Sequence, residues 1–412
     1  MWGGVQALAR ILPHTAPALR SLNLCDNQLT ASCLDDIALV LTTQPALRDL
    51  DLSRNEFTDG DTAPLWAGLA QNTTCEHLSL AHCALEPRHG TALGTMLREN
   101  RGLHSLNLDG NALRLEGVLA ILAACAEQNH LVWLGVRKNL VQDDEAAVPD
   151  IARGQGSHNT ALRHLHLCKN MLSLSMHSSL IKVLEQFRGL ETLEVRTCLL
   201  GEWSVPGLCH LLKACPRLRE LRAGRNILGF DGMTRLLPVA STHPALVILE
   251  LQKNFNSFEG APGARRGLVE FLQTSPRVEI LHMHGNLLFG DATRAEAIDL
   301  ANALYRRSIS GRFAWTGTRL FEFLRVRGVL DLYGLPRDAG ALNNRDIFTV
   351  FRTDFERRVA FAMALHPRLG ACSPVRCCDP LIVSLILASP LCPVRPASFV
   401  WDVSPSTSSD ES

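Results

Sequence analysis

The stretch Leu19–Leu29 reads L-R-S-L-N-L-C-D-N-Q-L, and its spacing of apolar residues around one Asn or Cys returns along the whole first three quarters of the chain. The first apolar position of each copy falls at Leu19, Leu47, Cys75, Leu103, Leu131, Leu162, Leu190, Leu218, Leu246 and Val278, which makes ten copies. Seven of the nine intervals are 28 residues; the other two are 31 and 32. The ninth position of each copy is Asn27, Asn55, Cys83, Asn111, Asn139, Asn170, Cys198, Asn226, Asn254 or Asn286. In a sharp turn after a short strand, an Asn amide can pair backbone groups of its own and the neighbouring coil that would otherwise be buried without partners.

A fixed period in this range, with L-x-x-L-x-L-x-x-N/C-x-L inside it, is the signature of a leucine-rich-repeat solenoid. The 28-residue length leaves room for a helix after each strand, and the intervening sequence agrees. Leu34, Ile37, Ala38 and Leu41 recur at helical spacing, as do Val118, Ile121, Leu122 and Cys125, and Leu180, Ile181, Leu184 and Phe187. Repeats of this kind resemble the ribonuclease-inhibitor-like leucine-rich repeats, the class also used by NOD-like receptors and by the activating protein of the Ran GTPase. The resemblance implies an α/β solenoid, a curved horseshoe with parallel strands on the concave face and helices on the convex face. It covers about ten repeats in residues 1–310. Residues 311–402 are then a small, mostly helical capping or adaptor segment, and 403–412, V-S-P-S-T-S-S-D-E-S, is a polar tail expected to be disordered.

Within this frame, residues 5–12 read as the helical half of a first unit, and Arg294–Tyr305 as a last repeat helix with Ala297, Leu300, Ala301 and Leu304 on one side. The extra residues lie in two stretches, 142–157 and around Gly260–Gly263, where insertions serve either as tolerated loops or as a binding face. Beyond Leu288 the period fails. Gly328–Leu335 alternates like a strand, and Asp346–Leu365 and Asp379–Leu387 read as helices.

Composition excludes several classes. Of 412 residues, 46% are hydrophobic and 20% charged, so the bulk of the chain has the apolar content of a folded protein. Lys plus Arg and Asp plus Glu both number 41, which removes any global bias toward nucleic acid or anionic membranes. No leader segment or membrane-spanning run is expected: Leu381–Leu391 is too short and is interrupted by Pro390. The 13 cysteines fall largely at small buried repeat positions such as Cys75, Cys83, Cys125 and Cys198, which points to unpaired thiols and a reducing, cytoplasmic setting. No phosphate loop, nucleophile elbow, zinc-protease motif or dinucleotide fingerprint is present, so no enzyme activity and no cofactor are expected. His366, Cys372, Cys377, Cys378 and Cys392 have metal-ligand residue types but no tetrahedral zinc spacing, and no metal is assigned to them.

Chemistry is therefore sought on the strands. Side chains alternate between faces, and neighbouring strands lie about 4.8 Å apart, so equivalent positions form columns. The outward position between the second and third leucines is Asn23, Asp51, Ser79, Asn107, Gly135, His166, Glu194, Arg222, Glu250 and His282 in turn. Two readings fit its second half: a self-satisfied ladder of ion pairs between neighbouring strands, or a recognition stripe. Two residues on, the column ends in Gln252 and His284, and with its neighbours it places Arg137, Lys138, Lys169, Arg196, Arg225 and Lys253 along the strand ends as a basic edge suited to an acidic partner. Trp133, beside His164, supplies an aromatic anchor. The expectation is a non-enzymatic scaffold that recognises a protein partner on its concave face. The rivals are a GTPase activator resembling the Ran activator, a ubiquitin-ligase substrate adaptor acting through residues 346–392, and the sensor part of a NOD-like receptor.

Overall fold

The computed structural model describes residues 2–127, 130–139, 159–172, 180–254, 261–275, 277–286, 292–308 and 313–316. The 142–157 insertion, the 328–335 strand reading, the 346–365 and 379–387 helix readings, the cysteine cluster and the tail lie outside them. The chain divides into one compact unit, Met1–Asp291 with Trp315–Thr318, and a second that includes Ala292–Ala314.

Each repeat contributes one three-residue strand: β1 Ser21–Asn23, β2 Asp49–Asp51, β3 His77–Ser79, β4 Ser105–Asn107, β5 Trp133–Gly135, β6 His164–His166, β7 Thr192–Glu194, β8 Glu220–Arg222, β9 Ile248–Glu250 and β10 Ile280–His282. They pair in parallel and in strict sequence order, and β11, Ala314–Thr316, ends that order. The register is uniform. The middle leucines, such as Leu22↔Leu50 and Leu221↔Leu249, face one another, and the outward column Asn23↔Asp51 to Glu250↔His282 aligns as the sequence implies.

The inward leucines are 0–2% exposed from Leu50 through Leu281, and behind them pack the apolar stripes of the helices. Ile37, Ile121, Leu122 and Leu184 are at most 1% exposed. Helix Trp2–Thr15 contains the expected residues 5–12, and the second insertion opens helix Ala261–Thr274, with Pro262 in its first turn where a missing N–H costs nothing. In the second unit, helix Arg294–Ser308 buries Ala297, Leu300, Ala301 and Leu304 at 0–2% exposure. Helices Pro87–Glu99 and Arg114–Glu127 approach so closely that a Cβ on Gly90 would lie 2.5 Å from the Gly117 Cα.

The repeat asparagines do what their position requires. Asn111 is 5% exposed; its Oδ1 accepts from the Cys83 and Leu85 amides at 2.9 and 3.1 Å, and its Nδ2 donates to the Leu80 and Leu108 carbonyls at 2.9 and 2.8 Å. Asn55 and Asn226 repeat this arrangement. Where the residue is Cys, its Sγ donates to the previous coil (Cys83 to the Leu52 carbonyl, 3.2 Å; Cys198 to that of Leu167, 3.1 Å) and its own carbonyl receives an amide of that coil.

A second ladder, not read from the sequence, closes the helix C-termini. Asn72 and Asn100 donate to the Leu41 and Leu69 carbonyls at 2.7 and 2.6 Å, Asn159 donates to that of Cys125 at 2.6 Å, and His243 Nε2 lies 3.2 Å from the Cys215 carbonyl. Gln44 is at the corresponding position but is fully buried, and neither amide atom has a hydrogen-bond partner among the described residues. Its backbone (φ −110°, ψ 82°) matches that of the apolar Cys215 (φ −109°, ψ 72°), and in both the main-chain carbonyl closes the turn. Gln44→Met keeps the volume and removes two unpaired buried atoms, so thermal unfolding should rise by the equivalent of about 1–2 kcal/mol.

Candidate functional site: the outward face of the sheet

Outward side chains on β5 to β9 form one polar network. Arg137, just past β5, turns back across the sheet: its Nη2 donates to Glu194 Oε2 at 2.7 Å and to His166 Nδ1 at 2.7 Å, and its main-chain N–H donates to Asp109 Oδ1 at 2.8 Å. Arg196, past β7, forks onto Glu250 with two bonds of 2.7 and 2.8 Å. Arg222 bonds Glu220 at 2.7 Å and sits 3.7 and 3.5 Å from Glu194 and Glu250. Cys168 Sγ lies 3.5 Å from Glu194 Oε2, and Gln252 donates to Glu250 at 3.3 Å. The arginines thus pair with carboxylates two strands away as well as with neighbours, because a guanidinium on a long stem spans two strand spacings of about 4.8 Å each.

Glu194 and Glu250 point outward yet are only 6% and 5% exposed, since the guanidinium groups lie over them. Burial alone would push both carboxyls up. The surrounding Arg137, Arg196 and Arg222 for Glu194, and Arg196 and Arg222 for Glu250, hold them below the usual range. His166 is pushed down to about 4, by burial first and then by the adjacent arginines, against the pull of Glu194. That agrees with its geometry, because an Nδ1 that accepts from a guanidinium carries no proton.

His89, His243 and His282 are lowered by burial as well; His89 Nδ1 accepts the Glu86 amide at the start of its helix. A depressed folded-state value means the unfolded chain binds more protons, so stability is complete above pH 6.5 and falls as pH drops toward 4. Glu194 and Glu250 extend the loss below that, their contribution disappearing as pH falls through their own depressed values. The melting temperature is expected to decline steadily from pH 7 to pH 4, and less steeply in His166→Gln, which keeps an acceptor for Arg137.

Trp133 occupies the gap in the column left by Gly135. A Cβ there would lie 2.6 Å from the indole ring, so glycine lets the ring lie across its own strand, with the His166 ring at 5.0 Å in an edge-on packing. Toward β1, Asp49, Asp51, His77, Asn107 and Trp133 line an open groove of about 600 Å³.

The structure therefore divides the residues expected at the site. Trp133, Arg137, His166, Glu194, Arg196, Arg222 and Glu250 come together. His164 bonds Thr192 Oγ1 at 3.2 Å, His282 takes its place in the column beside Glu250, and His284 is exposed. The basic edge is narrower than the sequence suggests, since Arg137 and Arg196 leave it to neutralise carboxylates, and Lys138, Lys169, Arg225 and Lys253 remain exposed on it. Glu220 was missed; its position two residues before Arg222 on the same face was the available signal.

No protein-family model matches the chain. It is 36% identical over 234 residues to NACHT, LRR and PYD domains-containing protein 5 of Bos taurus, covering 56% of this chain and 21% of that protein. It is 27% identical over 256 residues to ribonuclease inhibitor of Mus musculus, covering 60% of this chain and 54% of that one. The fold is a leucine-rich-repeat solenoid, and the sequence is similar to these leucine-rich-repeat relatives. This leucine-rich-repeat chain spans about half the length of the inhibitor and about a fifth of the bovine relative. Among solved structures, an internalin from Listeria monocytogenes aligns with a TM-score of 0.44 at 14% identity, over 80% of this chain and 92% of that one.

Proposed function

We propose that this protein is a non-enzymatic scaffold that binds a protein partner across the outward face of its sheet, with Trp133 as the anchor. The observation that carries the reading is the setting of that ring: partly exposed, fixed over Gly135 and against His166, between an acidic groove and a network whose side chains are already ordered. Pre-ordered side chains lose little entropy on binding, and large aromatic residues dominate interface energetics. Unpaired, buried cysteines such as Cys75, Cys83, Cys125 and Cys198, with thiols pushed up to about 12, support a reducing, cytoplasmic setting.

The experiment avoids Arg137 and Arg196, whose replacement would strand buried carboxylates. Quantitative affinity purification compares the intact chain with Trp133→Ala/Asp49→Lys after circular dichroism shows equal folding. A partner of the intact chain should be recovered at least roughly tenfold less with the variant, as loss of one anchor costs about 2 kcal/mol. An unchanged set of partners would exclude the sheet face as the site.

A further inference from the structure

The loop edge that follows the strands carries two parallel rows of side chains that the network leaves unused. Backbone geometry sets the first. One position in each repeat, from Asp26 to Gly285, has a positive φ of 53–72°. In repeats five to nine it is held by Lys138, Lys169, Thr197, Arg225 and Lys253. The four cations are exposed and form no ion pair among the described residues.

The second row stands two residues on. Met171, Leu199 and Ile227, in three consecutive repeats, are 41%, 46% and 46% exposed. Trp203, 47% exposed, extends the row: its ring lies so close over Gly201 that a Cβ there would collide with the indole, and Gly201 bridges to Ile227. Leu199 is itself held at φ 55°, which is costly for a branched side chain. The same positive φ occurs at the equivalent Gln28 and Ala84, so the conformation belongs to the coil of these repeats. Glu202, the acid of this stretch, is turned against Gly229.

We infer that this edge binds an acidic amphipathic helix of a partner protein. Charge decides the sign of the occupant, and spacing decides its conformation. Successive repeats advance by about 4.8 Å, and a helix presents a new side chain on one face every turn of about 5.4 Å. The mismatch of about 0.6 Å per repeat is small beside the reach of a lysine or arginine. An extended segment repeats on one face every ~6.7 Å and would drift by about 8 Å over the four steps from Lys138 to Lys253. Those steps cover about 19 Å, the length of roughly 13 helical residues. Carboxylates at three- and four-residue spacing would meet the cations, and an adjacent apolar stripe would meet Met171, Leu199, Ile227 and Trp203. This goes beyond the sheet-face reading and shares no residue with it, so either can fail alone.

The test selects a phage-displayed library of random peptides of about sixteen residues on the full chain, then measures the enriched peptides by fluorescence anisotropy. Two edge variants serve, Lys169→Glu/Arg225→Glu/Lys253→Glu and Leu199→Asn/Ile227→Ser; asparagine suits a positive φ, so the second does not act through strain at position 199. The expected result is enrichment of Asp or Glu and of apolar residues at helical spacing. Each edge variant should bind these peptides at least roughly tenfold more weakly, and Trp133→Ala should bind them like the intact chain. Absence of enrichment, peptides without an acidic bias, or affinities unchanged in either edge variant would overturn the proposal. So would binding to phosphatidylserine vesicles, lost in the same variants, in place of binding to any peptide, since the occupant would then be a membrane surface.

Discussion

Asn111→Ala is expected to lower the stability of the repeat unit by about 4 kcal/mol, among the largest effects available to a single substitution. The side chain closes four hydrogen bonds to backbone groups of two coils, all of them buried. Alanine leaves the Cys83 and Leu85 N–H groups and the Leu80 carbonyl without partners, while the Leu108 carbonyl keeps its bond from Asn139 Nδ2. Each orphaned group costs about 1–3 kcal/mol, and relaxation of the turn recovers part of the sum. The control comes from the protein itself. Cys83 and Cys198 fill the same position, each donating through sulfur to the previous coil and accepting an amide of that coil on its own carbonyl. Asn111→Cys should therefore lose roughly half as much. Urea unfolding followed by tryptophan fluorescence checks the order: wild type above Cys, Cys above Ala. Equal losses for Cys and Ala would show that the second sulfur-based arrangement does not transfer between repeats.

Glu194→Leu is expected to cost about 3 kcal/mol. The carboxylate, 6% exposed, is the common partner of Arg137 at 2.7 Å, Arg222 at 3.7 Å and Arg196 at 4.0 Å. Removing it leaves three guanidinium groups crowded without their shared counter-charge, and breaking a buried pair from one side typically costs about 3–5 kcal/mol. The arginine side chains keep 28–37% of their exposure and can swing toward water, which places the loss at the low end of that range. Glu194→Leu/Arg137→Met removes both members of the shortest pair and should recover at least about 1 kcal/mol of the single-variant loss, a coupling readable from the double-mutant cycle. Additivity of the two substitutions would mean that the network is merely solvated surface.

The ion-pair ladder shows how far sequence reasoning reaches and where it stops. Reading the column gave Glu194, Arg222 and Glu250 as aligned neighbours, and the strand register agrees. It gave Arg137 and Arg196 as members of an outward basic edge, because a residue's backbone position fixes its row but not where a long flexible stem carries its charge. The fold of the side chains over Glu194 and Glu250 depends on partners 54 and 57 residues away, beyond any local signal. The same limit hid the role of Gly135, which reads as a gap in a column and is filled by the ring of Trp133.

The sequence by itself determined the repeat, the strand register, the inward leucines and the asparagine ladder. Each follows from a period that the chain states ten times, and a periodic backbone leaves one residue position one possible environment. Only the tertiary structure decided which charges cancel and which stay exposed. It also joined Met171, Leu199, Ile227 and Trp203 into a single exposed row. These outcomes depend on side-chain rotamers and on contacts between successive coils, where several arrangements satisfy one sequence pattern and only packing and electrostatics choose among them.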